Sequence, residues 1–282
     1  MSIKNANQLK AKIKNLARQQ CVDARILMRL YMMERFLERV AKSKYKNNFV
    51  LKGGMLISYL VGVNNRTTMD IDTTMENISL DKQDVQKFLS EIMLTEVNDG
   101  VNFQLLSLNR IMEDADYPGI RANLIANFDG TKTPVKIDIS TGHVITPKAI
   151  DMKLSLMFSN PIMIQAYPVE TILAEKLQTI LSRGEFNTRM RDYYDIHALR
   201  VAQGDKRFKN SNLSDALFAT SQRRSTLYIL EKGKKIFADL QNSEVLLKRW
   251  KEYQIKTPWS RNLAWEEVIK DLHFFLTIAL LK

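Results

Sequence analysis

An α+β fold in two parts is predicted for this chain: a domain built on a mixed β-sheet flanked by helices over residues 1–165, then a helical domain over residues 166–282. Three observations predict it. Short segments with apolar residues at alternate positions lie before residue 168, the mark of strands with one buried face. Beyond it the apolar spacing is helical throughout. The stretch from Asn160-Pro161 to Tyr167-Pro168 supplies the breaks expected of a crossing from one region into the other.

Taken in order, Leu9 to Val40 carries apolar residues at helical intervals and predicts one or two opening helices. Phe49-Val50-Leu51 reads as a short buried strand, Gly53-Gly54 as a turn, and Met55 to Val61 as a short helix. Asp70-Ile71-Asp72 alternates like a strand. Ser79 and Asp81 are helix openers ahead of Val85, Phe88, Leu89 and Ile92. Strands are expected at Val101 to Leu108, Arg121 to Phe128 and Val135 to Ile139. Helices follow at Val169 to Leu181, Met190 to Val201, Leu213 to Ala219, Thr226 to Leu240, Val245 to Tyr253 and Leu263 to Leu281. Pro168 suits the first position of the first of these.

Composition narrows the partners. Lys and Arg outnumber Asp and Glu by 42 to 31, a net charge of +11 that favours an anionic partner such as RNA, DNA or a nucleotide, or else makes a basic solvated surface. Cys21 is the single cysteine, which excludes an intrachain disulfide and a cysteine-based zinc site. His143, His197 and His273 lack metal-ligand spacing, so any metal should be a hard cation held by carboxylates. No signal-peptide pattern opens the sequence, and the longest apolar run, Phe274 to Leu281, is too short to span a bilayer. A cytoplasmic protein is expected.

The chemistry-bearing residues begin with Lys52-Gly53-Gly54 and, one short helix later, Asp70-Ile71-Asp72. Glycines let backbone approach a phosphate, and the N–H groups of a helix starting there favour an anion. Asp70 and Asp72, two apart on a strand, project from one face and can hold divalent cations, while Ile71 points to the core. Asp138 is the polar residue in Val135-Lys136-Ile137-Asp138-Ile139. It is either ion-paired with Lys136 or another base, or the third acid of a two-metal centre, and the cost of a lone charge near a core favours the latter. Lys176 interrupts the apolar stripe of its helix and must snorkel or meet an anion in a cleft. Asp192 and Asp195, three apart on the next helix, either cap and pair locally or position Lys176, a base or the acceptor.

These segments resemble a known family. Phe49-Val50-Leu51-Lys52-Gly53-Gly54 and Arg66-Thr67-Thr68-Met69-Asp70-Ile71-Asp72 are similar to the glycine-pair and Asp-x-Asp motifs of AbiEii-type nucleotidyltransferases, in the DNA-polymerase-β-like superfamily. The likeness continues through Tyr117-Pro118-Gly119-Ile120-Arg121, Lys136-Ile137-Asp138-Ile139, Tyr167-Pro168-Val169-Glu170-Thr171, Ala174-Glu175-Lys176-Leu177 and Asn187 to Asp195, covering Leu9 to Leu199. The resemblance implies a nucleotidyltransferase domain followed by a helical domain that completes the nucleotide and acceptor cleft. It implies that Gly53 and Gly54 cradle a triphosphate, Asp70 and Asp72 bind Mg²⁺, Lys176 holds phosphate oxygens, and Asp192 or Asp195 is the late acid. It also implies a toxin of a type IV toxin–antitoxin system, neutralised by a separately encoded antitoxin and transferring nucleotides from an NTP to tRNA. Ser140, where Gly is expected, and Arg191, where Lys is expected, depart from the pattern.

The expected chemistry is metal-dependent transfer to an RNA hydroxyl, with Asp138 as third metal ligand or proton acceptor and Lys176 on the leaving pyrophosphate. Rival readings are a transferase acting on a protein or small molecule, a catalytically silent RNA-binding module, and a nuclease. The full set of Gly53, Gly54, Asp70, Asp72, Asp138 and Lys176 weighs against the silent module, and a nuclease has no evident need for the glycine turn and Lys176.

Overall fold

The computed structural model describes residues 3–78, 81–111, 119–209 and 211–280 and divides the chain into two compact units. Met1–His143 with Ala149–Tyr167 forms the first, and Val144–Lys148 with Pro168–Lys282 the second.

The first unit opens with two helices rather than one, α1 (Ala6–Gln20) and α2 (Ala24–Lys42). Asn5 caps α1 by accepting from the Gln8 N–H, left-handed Cys21 ends it, and the Asp23 carboxylate accepts the Arg25 N–H to restart the chain as α2. Strand β1 (Phe49–Lys52) runs directly into α3 (Gly53–Val61). The glycine pair is therefore the first turn of that helix, not a turn ahead of it. After β2 (Asp70–Met75), α4 (Lys82–Met93) starts behind Asp81, whose side chain accepts the Gln83 N–H; Ser79 lies outside the described residues. Strands β3 (Val101–Ile111), β4 (Gly119–Phe128) and β5 (Thr131–Ser140) form a meander, with Tyr117-Pro118 outside the described residues.

Two further strands, β6 (Ile150–Leu154) and β7 (Ile162–Ala166), correct the sequence reading, which took Asn160 to Pro168 as a crossing alone. The sheet order is β3-β4-β5-β2-β1-β7-β6. The β2–β5 and β1–β7 pairs are parallel and the other neighbours antiparallel, so the sheet is mixed as expected.

Side chains alternate across the pleat, and the register sorts them into two faces. One face carries Phe49, Leu51, Ile71, Ile137 and Ile139, all fully buried. Helix α2 lies against it, with Phe36 meeting Phe49 and, edge-on, Phe103. Buried Arg39 forks onto Asp99 at 2.8 and 2.9 Å, tying α2 to the start of β3. The opposite face carries Lys52, Asp70, Asp72, Arg121 and Asp138.

The second unit contains α5 (Val169–Arg183), α6 (Met190–Gln203), α7 (Leu213–Arg223), α8 (Tyr228–Gln241), α9 (Glu244–Lys256) and α10 (Trp265–Ala279). Pro168 sits one place earlier than expected, as the N-cap of α5, because its ψ of 153° is extended. Val144–Lys148 joins this unit through Thr171, whose hydroxyl accepts the Thr146 N–H at 2.9 Å and donates to the Thr146 carbonyl at 2.7 Å. Trp250, Trp265 and Tyr193 form an aromatic core cluster, and Phe208 packs edge-on against Phe275.

Candidate active site

In the first unit, strand register sets four charges side by side. Arg121 on β4 pairs with Asp138 on β5, Asp138 with Asp72 on β2, and Asp72 with Lys52 on β1. Two carboxylates thus stand between two cations in one row across the sheet. Asp70 lies one pleat repeat before Asp72, on the same face.

The glycine pair touches this row. Gly53 has φ +65°, and a Cβ there would lie 2.0 Å from Asp72 Oδ2, so only glycine fits beside that carboxylate. The Gly54 N–H, a free donor of the first turn of α3, donates to Asp72 Oδ2 at 3.2 Å. A Cβ on Gly54 would meet Thr68 Oγ1 at 2.7 Å. The close approach read from the sequence as room for phosphate is, in the structure, filled first by Asp72 and Thr68.

Burial pushes the Asp72 carboxyl up from its ordinary range. The Gly54 N–H and Lys52 oppose the shift, while Asp138 and Asp70 add to it by like-charge repulsion. Asp70 Oδ1 is buried and, among the described residues, receives no hydrogen bond. A buried carboxylate oxygen without a donor, beside a second acid, fits a divalent cation: it removes the cost of the orphaned charge and of the repulsion. Asp70 and Asp72 are the residues that could hold one.

Asp138 is engaged differently. Arg121 forks onto it, Nε to Oδ1 at 2.8 Å and Nη2 to Oδ2 at 2.7 Å, and this pairing raises the Arg121 pKa. The ion-paired alternative is the state displayed, with Arg121 rather than Lys136 as the base. Among the described residues no three acid, His or Cys side chains gather as a ready-made metal site. Sequence reasoning gave Arg121 no role, although it ends the Tyr117-Pro118-Gly119-Ile120-Arg121 segment of the resemblance and holds a polar place in the alternation of β4.

Ser140, the departure from the expected glycine, accepts the Lys52 ammonium at 2.8 Å. The Thr74 hydroxyl lies 3.4 Å from Ser140 Oγ and 2.7 Å from the Tyr167 hydroxyl. A cavity of about 540 Å³ opens beyond β2 and β5, walled by Thr74, Glu76, Asn77, Thr141 and His143 among others; none of the expected site residues lines it.

The second unit gathers the remaining three. Lys176 Nζ donates to Asp192 Oδ1 at 2.8 Å and to Asp195 Oδ2 at 2.7 Å. Burial works to lower the lysine pKa, but the two carboxylates more than offset it and hold it above the ordinary value. Arg189 Nε adds a second cation to Asp192 at 3.0 Å. Lys176 therefore does not snorkel, and both acids bear on it together.

A family model described as nucleotidyl transferase AbiEii toxin, type IV TA system, matches residues 35–270. Among solved structures, a crystal structure from H. pylori described provisionally as a nucleotidyltransferase is similar at 15% identity and a TM-score of 0.52, over 92% of this chain and 96% of that one. JHP933 from Helicobacter pylori is similar at 15% identity and a TM-score of 0.50, over 90% of this chain and 91% of that one. At such identities the likeness speaks to the fold. A comparison with curated proteins finds no match.

Proposed function

The chain belongs to the AbiEii nucleotidyl transferase toxin family of type IV toxin–antitoxin systems, and on that premise we propose that it transfers nucleotides from an NTP to RNA, the acceptor end of a tRNA, with Mg²⁺ held at Asp70 and Asp72. The family implies a separately encoded antitoxin. No helix among the described residues is long and apolar enough to cross a membrane, and we place the reaction in the cytoplasm, where NTP and tRNA are found.

The observation that carries this reading is the unpartnered, buried Asp70 Oδ1 beside Asp72. When bound, the divalent cation supplies charge stabilisation on phosphate oxygens. Gly53 and Gly54 hold the Asp72 carboxylate at the mouth of α3, where the first-turn N–H groups favour an anionic triphosphate. Arg121 fixes Asp138 next to Asp72, and we assign Asp138 to take the proton of the attacking hydroxyl. The acceptor oxygen forms a bond to the α-phosphorus as the bond from that phosphorus to pyrophosphate breaks. Lys176, kept charged by Asp192 and Asp195, is assigned to phosphate oxygens.

Incubation of the purified chain with each α-labelled NTP, Mg²⁺, and total bacterial RNA or protein tests the reading. Label should enter RNA, and Asp70→Ala or Asp72→Ala should abolish it while the thermal melt is largely kept. Label in protein, or full activity in either variant, overturns it.

A further inference from the structure

We infer that the exposed face of α1 is a docking surface for the phosphate backbone of RNA, separate from the acid row; this rests on the proposal that RNA is the acceptor. From Ile3 to Val22 the chain contains no Asp or Glu but five basic residues: Lys4, Lys10, Lys12, Lys14 and Arg18. Lys10, Lys14 and Arg18 are all exposed and spaced by four. On an α-helix that spacing keeps them on one side, in steps of about 6 Å along the axis. Such a ladder of cations matches the repeat of phosphates along a nucleic-acid strand. Among the described residues no carboxylate lies within ion-pair distance of these three.

The helix is held rigidly enough to present them. Leu9 and Ile13, on its other side, are buried against α2. Asn5 caps its first turn, and the Ala6 N–H donates to Asp129 Oδ2 at 2.8 Å, anchoring α1 to the β4–β5 turn. The cations therefore need little ordering on binding.

The chemistry of the face selects the partner. Between the cations stand Asn7, Ala11 and Asn15, exposed and not apolar enough to insert in a bilayer, and the apolar residues of α1 are already used within the protein. Lysine and asparagine without aromatic anchors are also unlike the core of a protein interface. Hydrogen-bond donors and unpaired positive charge suit phosphate oxygens.

Placement adds a size requirement. Helix α2 covers the Phe49 and Ile71 face of the sheet and α1 packs on α2, whereas Asp70 and Asp72 project from the opposite face. A dinucleotide cannot touch both, but a folded RNA can, gripping through its body while its end is modified.

Bulk bacterial tRNA binding, measured by fluorescence anisotropy without NTP across a salt series, tests the surface. The full chain is compared with Lys10→Gln/Lys14→Gln/Arg18→Gln, whose exposed positions leave the melt intact. Loss of three phosphate contacts should weaken binding about tenfold or more at low salt and flatten the slope of log affinity against log salt by about two. Unchanged affinity and slope, while the native chain still labels RNA, overturns the surface alone. If the native chain neither binds nor labels RNA, the acceptor reading falls and takes the surface with it. A variant that loses affinity for anionic vesicles but not for tRNA also overturns it.

Discussion

Gly53 and Asp72 interlock: a Cβ at residue 53 would lie 2.0 Å from Asp72 Oδ2, 2.5 Å from its carboxyl carbon and 2.6 Å from its Cβ. The first residue of a helix and the second acid of the Asp-x-Asp pair thus occupy space that admits only one side chain. Gly53→Ala must either expel the Asp72 carboxylate or shift the start of α3, on top of left-handed strain of roughly 1–2 kcal/mol. The control is Gly130→Ala, which shares the positive φ but has nothing within 4 Å. Both variants should lose comparable stability from strain, with a further loss at residue 53, and only Gly53→Ala should lose nucleotide transfer. Equal transfer by the two would show that the Asp72 position is dispensable.

Asp70→Asn separates function from stability. Without a cation, Asp70 adds repulsion to a carboxylate pair and leaves Oδ1 buried without a donor. Removing its charge should raise the melting temperature of the metal-free chain and cancel the stabilisation that Mg²⁺ gives the native protein. A thermal-shift titration with EDTA and then Mg²⁺ reads both. An undiminished Mg²⁺ shift in the variant would place the cation elsewhere.

What the sequence made legible follows from what each feature depends on. The buried face of β5 and the place of half-buried Asp138 on the opposite face come from alternation within one strand, so Val135, Ile137 and Ile139 announced them. The helical regions after Pro168 announced themselves by apolar period in the same way. The partnership of Arg121 with Asp138 follows from the register that the two-residue Asp129-Gly130 turn sets between β4 and β5, a local hairpin signal that sequence reasoning did not use. Strand β6 does alternate, as Ile150-Asp151-Met152-Lys153-Leu154, but it and the non-alternating β7 lie among Pro147, Pro161 and Pro168, whose turn signals outweighed that pattern. The glycine pair opens α3 rather than preceding it, and whether its space belongs to phosphate or to Asp72 is a tertiary fact.

Lys176→Met should destabilise the second unit by about 3 kcal/mol or more, because it strands the buried Asp192 and Asp195 without the cation that both contact. Asp192 keeps Arg189, which limits its share of the cost. Adding Asp195→Asn to Lys176→Met should restore much of the stability, as urea denaturation can show. Nucleotide transfer should not return in the double variant. Recovery of both would reduce Lys176 to a neutralising role.

Glu34 gives the first unit a pH dependence of defined sign. Burial, resisted by the Met157 N–H and the Tyr59 hydroxyl, pushes its carboxyl up to about 7 from an ordinary 4.5. In the unfolded chain this group ionises from about pH 4.5, whereas in the folded chain it keeps its proton until about pH 7. Between those values the folded state binds more protons, so stability is fullest below 4.5, falls as pH rises and levels off above 7. The loss is on the order of 3 kcal/mol at one pKa unit per 1.36 kcal/mol. Glu34→Gln holds a neutral group at every pH. It should match the native chain near pH 4.5 and exceed it at pH 8, the gap opening through the interval in urea midpoints. Other groups titrating in that range act on both proteins alike and cancel in the difference, so parallel curves would mean that Glu34 is ionised in the folded protein throughout.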